Sequence, residues 1–219
     1  DASDLDSDPT IRALLMPRPS YYGLGTDLFE LGTLCRQRGV IFIVDEAHGS
    51  HLRFLPEGAG PAPALDFPVD VVIQSPHKTL GALVGAAQVH LAHGSQLDPQ
   101  VLGERLNMLQ STSPSNLLLS SLDAVRRHMW RDGRAIFARG LERVWRLRLQ
   151  LSDFPGVRVL ENGRPELEGH TLDPFRLTVD VSGLGMSGFE AQGILRRRFR
   201  IEDELCDTRG QRHSYAVAS

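Results

Sequence analysis

Short apolar runs, each closed by a turn former or a charged residue, punctuate the first part of the chain. Residues 11–16 form one, ended by Pro17 and Pro19. Val40-Ile41-Phe42-Ile43-Val44-Asp45 is a continuous β-branched and aromatic run that ends in an acid, and residues 69–74 form another that ends at SPHKT. Residues 82–91, with Val84 and Val89 to Leu91, predict a further strand. Between the first two runs, Thr26 or Asp27 caps a predicted helix reaching about residue 38. Leu28, Leu31 and Leu34 with Cys35 fall at helical spacing, and Gly39 stops it. A Gly/Pro-rich stretch at 58–68 reads as loop.

From residue 98 the pattern turns helical. Residues 98–109, 115–130 and 134–151 predict three helices. The last carries an apolar stripe of Ile136, Leu141, Val144 with Trp145, and Leu147 with Leu149, while arginines take much of the remaining surface. Phe154-Pro155-Gly156 breaks it. Strand-like segments at 157–160 and 175–181 and a helix at about 187–199 then read as a smaller α+β domain. Strands that are apolar throughout belong to a sheet covered on both faces by helices, so the predicted class is α/β with a mainly parallel sheet. The expected organisation is an acidic, turn-rich linker at 1–10, a partial large domain at 11–153 and the start of a small domain at 154–219.

Composition narrows the classes. The chain has 219 residues, 41% hydrophobic and 23% charged, as soluble globular proteins have. A formal charge of −3 and a pI near 6.3 argue against a polyanion-binding surface. Cys35 and Cys206 are far apart in sequence and match no disulfide or metal-ligand framework, so a reducing cytoplasm is the simple expectation. No apolar run approaches the roughly 20 residues a membrane helix needs, and the acidic start is unlike a signal peptide. A first residue Asp1, followed almost at once by a strand, leads us to expect a piece of a longer protein.

Ligands of open α/β sheets gather beyond the carboxyl ends of the strands, and two such ends carry suggestive groups. One delivers Asp45 in VDEAHGSH, the other Lys78 in QSPHKTL. A pyridoxal-phosphate site asks for this pair: an amine to join the cofactor's aldehyde, and an acid to keep the pyridine nitrogen protonated. Ser75 and His77, beside the lysine, are candidate donors to the phosphate. A single lysine is more often a solvated surface residue and a strand-end aspartate more often a turn former. Both lie at the ends of apolar strands, however, where an idle charge is costly.

SYYG at 20–23, VDEAHGSH at 44–51, QSPHKTLGAL at 74–83, QSTSPS at 110–115 and DPFRLTVD at 173–180 follow in that order. The series resembles the ornithine/lysine/arginine decarboxylase family of fold-type-I pyridoxal-phosphate enzymes, from about residue 11 to the end. The pairing of SPHKTL with VDEAHG is its specific part. The resemblance implies an aspartate-aminotransferase-like large domain and decarboxylation of arginine, lysine or ornithine. It implies Lys78 as the Schiff-base lysine, Asp45 as partner of the pyridine nitrogen, Ala47 near the ring and His48 close enough to affect proton transfer. Ser75 and His77 would serve the phosphate. Ser111 or Thr112 would reach the phosphate of a neighbouring subunit, since such enzymes are homodimers or larger with shared active sites. Family members are much longer. Their Ser/Thr/Gly-rich phosphate loop and ring-stacking residue precede this region and are not found in residues 1–20.

Other readings carry less. Asp45-Glu46-Ala47-His48 spells a DEAH helicase box, but the chain has no GxxxxGK[ST] loop and SPHKTLGAL is not a helicase motif. Glu46, His48 and His51 lack the return pair a zinc site wants, and His77, His90 and His93 follow no ligand pattern. Arg196-Arg197-Arg198, with no interleaved aromatics, reads as a solvated face. The working rivals are another fold-type-I chemistry, such as an aminotransferase or lyase, and a non-catalytic fragment.

Overall fold

The computed structural model describes residue 5, residues 8–164 and 167–207 and, for the backbone, 215–218. It separates into two compact units. One comprises Asp1–Arg18, Thr26–Phe54 and Ala62–Gly133; the other comprises Pro19–Gly25, Leu55–Pro61 and Arg134–Ser219.

The first unit is built on a four-stranded sheet: β1 (Ala13–Pro17), β2 (Ile41–Asp45), β3 (Val71–Gln74) and β4 (Gln88–Leu91), in that spatial order. β1 runs parallel to β2, with Ala13 opposite Ile41 and Pro17 opposite Asp45. β2 runs parallel to β3, with Ile43 opposite Val71 and Asp45 opposite Ile73. β4 returns antiparallel, pairing Gln74 with Gln88. The parallel pairing brings the carboxyl ends of β1, β2 and β3 to one edge, where Pro17, Asp45 and Gln74 close their strands. Phe42, Val44, Val69 and Val72 are fully buried and form the centre of the core with Leu28, Cys35, Val40 and Ala92.

Helix α1 (Phe29–Gln37) makes the crossover from β1 to β2. Asp27 Oδ1 accepts the Phe29 amide at 2.7 Å, so the acid expected as the cap does satisfy a first-turn donor, although Leu28 occupies the cap position. Gly39, at φ +65°, turns the chain out of the helix. At the amino-terminal edge of the sheet a buried Asp70 acts as a brace. Its Oδ2 accepts the Phe42 amide at 2.9 Å, and its Oδ1 accepts the Gln96 amide at 2.6 Å and the Ser95 hydroxyl at 3.1 Å.

After β3 come α2 (Pro76–Thr79), β4, α3 (Pro99–Leu109) and α4 (Asn116–Ser152). Asp98 caps α3 by accepting the Gln100 amide, with Pro99 at the first helical position. Two expectations are corrected. Residues 82–87 are not strand: Gly81 and Gly85 take positive φ, and Val84 is 85% exposed, so this stretch is a turn and only 88–91 pair. The two helices expected at 115–130 and 134–151 are one. Gly133 does not break α4, because its missing side chain makes room for Phe54, whose Cδ1 would stand 2.7 Å from a Cβ there.

In the second unit β5 (Arg158–Val159), β6 (Leu177–Asp180), β7 (Leu205–Cys206) and β8 (Tyr215–Ala218) form an antiparallel sheet in the order β5-β6-β8-β7. Helix α5 (Gly188–Ile194) opens with a capping box between Ser187 and Glu190 and continues as a π-helical turn, Leu195–Phe199. The Phe137 and Phe175 rings meet edge to face at 5.5 Å. The buried residue of α4 here is an arginine. The Arg148 side chain, 3% exposed, donates to the carbonyls of Leu160 at 2.8 Å, Pro174 at 3.0 Å and Arg176 at 2.8 Å. Trp145, Leu147 and Leu149 of the expected stripe are exposed. Among the described residues no helix is long and apolar enough to cross a membrane.

Candidate active site

The carboxyl edge of the first sheet gathers most of the residues singled out from sequence. Asp45 ends β2, and its Oδ1 accepts the Ala47 amide at 3.0 Å, which tightens the chain into the turn that carries Ala47 and His48. β3 ends at Gln74, and Ser75 occupies the cap position of α2, the short helix that carries His77 and Lys78. The Ser75 carbonyl accepts the Lys78 amide at 2.9 Å, closing that turn.

Lys78 is the only lysine of the chain. Its Nζ lies 3.0 Å from His48 Nε2, so the amine reaches an imidazole of the neighbouring strand's turn. With the ammonium as donor, His48 Nε2 accepts and the ring proton sits on Nδ1. His77 turns elsewhere: its Nδ1 donates to the Ala86 carbonyl at 2.7 Å, anchoring α2 to the turn before β4. Thr79 Oγ1 is buried, with no hydrogen-bond partner among the described residues. Ser111 and Thr112 lie in the exposed connection between α3 and α4, where Ser111 Oγ accepts the Ser113 amide at 3.1 Å. The structure thus joins Lys78 directly to His48, sets Asp45 and Ala47 in one turn and Ser75 under the lysine's helix, and leaves Thr112 on the surface.

Beneath this edge lies a polar network that sequence reading did not assemble. Glu46 is fully buried. Its Oε1 accepts the Ala64 amide at 2.7 Å and its Oε2 accepts Gln74 Nε2 at 2.6 Å. Arg18, nearly as deeply buried, brings Nη1 to 3.7 Å from Glu46 Oε1 and donates to the Thr26 and Ala62 carbonyls at 2.7 and 2.9 Å. Gln74 Oε1 stands 3.1 Å from His90 Nε2 on β4 and accepts from it. Strand alternation was the available signal: Glu46 follows Val44 by two residues and so shares its buried face. The pairing with Arg18, Gln74 and His90 is long-range, and no local pattern predicts it.

Burial pushes the Glu46 carboxyl above the usual glutamate range, against the bonds from Gln74 and Ala64 and the charge of Arg18. A carboxyl whose pKa is raised by folding contributes its full stability below the unfolded value and loses it as pH rises through the folded one. Glu46→Gln does not titrate. The stability of the parent relative to this variant should therefore fall as pH climbs from the ordinary glutamate value through the raised one, and stay flat on either side. Urea midpoints of both proteins across that window measure it, and parallel curves would refute the coupling.

The donor set fits a pyridoxal-phosphate group. An amine held against an imidazole, a carboxylate at an adjacent strand end and the unsatisfied Thr79 hydroxyl one residue from that amine supply the polar types such a group requires.

Comparison with known proteins gives the family and the fold. The family model described as Orn/Lys/Arg decarboxylase, major domain, matches residues 3–208. An arginine decarboxylase of Halalkalibacterium halodurans is 32% identical over 207 residues, covering 93% of this chain and 41% of that protein. An arginine decarboxylase of Bacillus subtilis matches with the same identity and coverage. The chain thus spans about two-fifths of the length of these curated relatives. Among solved structures, an alanine–glyoxylate aminotransferase from Nostoc sp. superposes with a TM-score of 0.69 at 20% identity, covering 99% of this chain and 58% of that one. A cysteine desulfurase from Thermococcus onnurineus does so at 0.64 and 16%, covering 100% and 57%. These likenesses show the fold, that of the fold-type-I pyridoxal-phosphate enzymes.

Proposed function

The chain belongs to the Orn/Lys/Arg decarboxylase family, and from that premise we propose that it carries the cofactor-holding lysine of a pyridoxal-phosphate-dependent enzyme that decarboxylates a basic amino acid. The observation that carries the proposal is the chain's one lysine, at the carboxyl edge of a mainly parallel sheet, 3.0 Å from an imidazole and one strand from an aspartate that ends β2. When bound, pyridoxal phosphate supplies an aldehyde for the amine and a ring that accepts the electrons released at the substrate's α-carbon.

The chain's own groups have distinct tasks in this reading. Lys78 would be the nucleophile that holds the cofactor. His48 Nε2, within hydrogen-bond reach of Lys78 Nζ, takes or returns the amine's proton. Asp45 keeps a proton on the ring nitrogen, and its turn presents the small side chain of Ala47, which leaves room for a flat ring. Ser75 and Thr79 are the hydroxyls nearest in sequence to Lys78 and serve the phosphate. His77 offers only its Nε2 edge, because Nδ1 is committed to Ala86. The exposed Thr112 belongs to the neighbouring active site of a homodimer. The relatives' names favour arginine as the first substrate to test.

The test is borohydride reduction in the presence of pyridoxal phosphate, peptide mapping, and a screen of arginine, lysine and ornithine for CO₂ release. Label at Lys78 with release from one of the three is expected; a folded chain that takes no label would sink the proposal. Asp45→Asn should weaken cofactor binding and lower turnover about 100-fold, the equivalent of about 2.7 kcal/mol. Turnover within about threefold of the parent would remove Asp45 from its role.

A further inference from the structure

Glu46 sits beside the site, yet the reaction just proposed gives it no task. We propose that Glu46 is a positioning residue: its buried carboxylate locks the end of β3, and with it the Lys78 turn, to the end of β2 that carries Asp45. This rests on the reading of Lys78 and Asp45 given above.

The bonds around Glu46 join the two strand ends twice. Its backbone N–H donates to the Ile73 carbonyl at 2.8 Å, and its Oε2 accepts the Gln74 amide at 2.6 Å. Gln74 immediately precedes Ser75, whose carbonyl holds the Lys78 amide. The carboxylate is therefore one side-chain bond and a short stretch of backbone away from the amine's turn. On the other side Asp45, the residue before Glu46, accepts the Arg18 amide with its carbonyl at 2.8 Å, and the Arg18 guanidinium returns to within 3.7 Å of the same carboxylate. Oε1, holding Ala64, ties in the loop between β2 and β3.

Only an acceptor at both oxygens satisfies this arrangement. Two N–H donors and a guanidinium converge on Glu46, and an amide in its place would turn its own NH₂ toward one of the donors. As a stability element the charge is poor value, since apolar packing of the same volume commonly does as well. What the carboxylate supplies beyond stability is direction: it fixes which atoms of β2 and β3 face each other at the edge where the amine and Asp45 emerge.

The network also defines a rescue. Gln74→Glu alone sets two carboxyls against each other and breaks the bond between the strand ends. In Glu46→Gln/Gln74→Glu the roles are exchanged. The amide at 46 accepts from Ala64 and donates to the new carboxylate at 74, which still accepts from His90 Nε2. Each variant is treated with pyridoxal phosphate and borohydride well below its own unfolding midpoint, and the rate of label appearing at Lys78 is followed by peptide mass. With one lysine in the chain the side-chain label has one address.

Gln74→Glu is expected to slow labelling about 10-fold or more, as a misplacement near 1 Å does to a positioned group, and the exchange to restore it to within about threefold of the parent. Gln74→Ala, which cuts the same bond without adding a charge, should slow labelling likewise and serves if Gln74→Glu does not fold. A residue that merely stabilised the fold would leave every folded variant labelling at the parent's rate, and that result, or an exchange that fails to restore labelling, overturns the positioning role. A parent that takes no label at Lys78 overturns the reading of the site itself, and the positioning role with it.

Discussion

Lys78→Ala is expected to take no reductive label from pyridoxal phosphate and to lose turnover by about 1,000-fold or more, because no other side-chain amine exists in the chain to replace it. Lys78→Arg should be equally inert. A guanidinium stays protonated and offers no lone pair, so restoring the positive charge does not restore the nucleophile. Stability should hardly move in either variant. Lys78 is exposed, it forms no described ion pair, and its bond to His48 is a surface one, so a change within about 0.5 kcal/mol is expected. The diagnostic result is that dissociation: the label and the CO₂ vanish while the unfolding midpoint stays. Surviving turnover in Lys78→Ala would mean that the chemistry lies elsewhere.

Arg148→Ala should do the reverse, with a large loss of stability from a residue remote in sequence from any motif. The guanidinium is nearly fully buried and satisfies the carbonyls of Leu160, Pro174 and Arg176. Truncation leaves those acceptors inside the second unit without their donor and removes the packing of the aliphatic stem. The cost should be about 3 kcal/mol or more, a fall on the order of 10 °C in Tm. Arg146→Ala, two residues away and exposed, is the control and should stay within about 0.5 kcal/mol. If thermal melts of the two variants coincide, the buried arginine is not holding the unit together.

The contrast between these two residues shows where sequence is readable. The strands of the first sheet were legible because burial on both faces leaves unbroken apolar runs such as 40–45, and the strand-end acid and lysine stand out against them. The same logic pointed to Asp45, Ser75, His77 and Lys78 at one edge, whereas Ala47 and His48 came only from the family resemblance. It failed where the structure uses polar groups inside. Of the predicted α4 stripe, Ile136, Leu141 and Val144 are half-buried but Trp145, Leu147 and Leu149 are exposed, and the buried position is Arg148, on which three carbonyls from distant segments converge. Glu46 and His90 were weighed only for a helicase box or a metal and set aside, and Arg18 and Gln74 were not singled out, for the same reason: their partners lie far away in sequence. Residues 82–87 were misread because Val84 has strand propensity, while Gly81 and Gly85, both at positive φ, make a turn that leaves it in solvent. The gap predicted at 131–133 is not there: α4 runs on through Gly133, whose missing side chain leaves room for Phe54.

The first sheet is braced by a buried carboxylate at each end, Asp70 where its parallel strands begin and Glu46 where they finish. Asp70 binds amides and a hydroxyl far along the strands from Lys78, whereas Glu46 adjoins Asp45 itself. Evolution therefore meets two kinds of constraint on one scaffold. Drift around Asp70 is judged by whether the sheet holds, and compensating changes elsewhere in the core can make good a loss. On the proposed reading, drift around Glu46 is judged by whether the Lys78 turn keeps its place against the end of β2, which extra core stability does not restore. A lineage that gave up the chemistry would be free to lose the second brace while keeping the first.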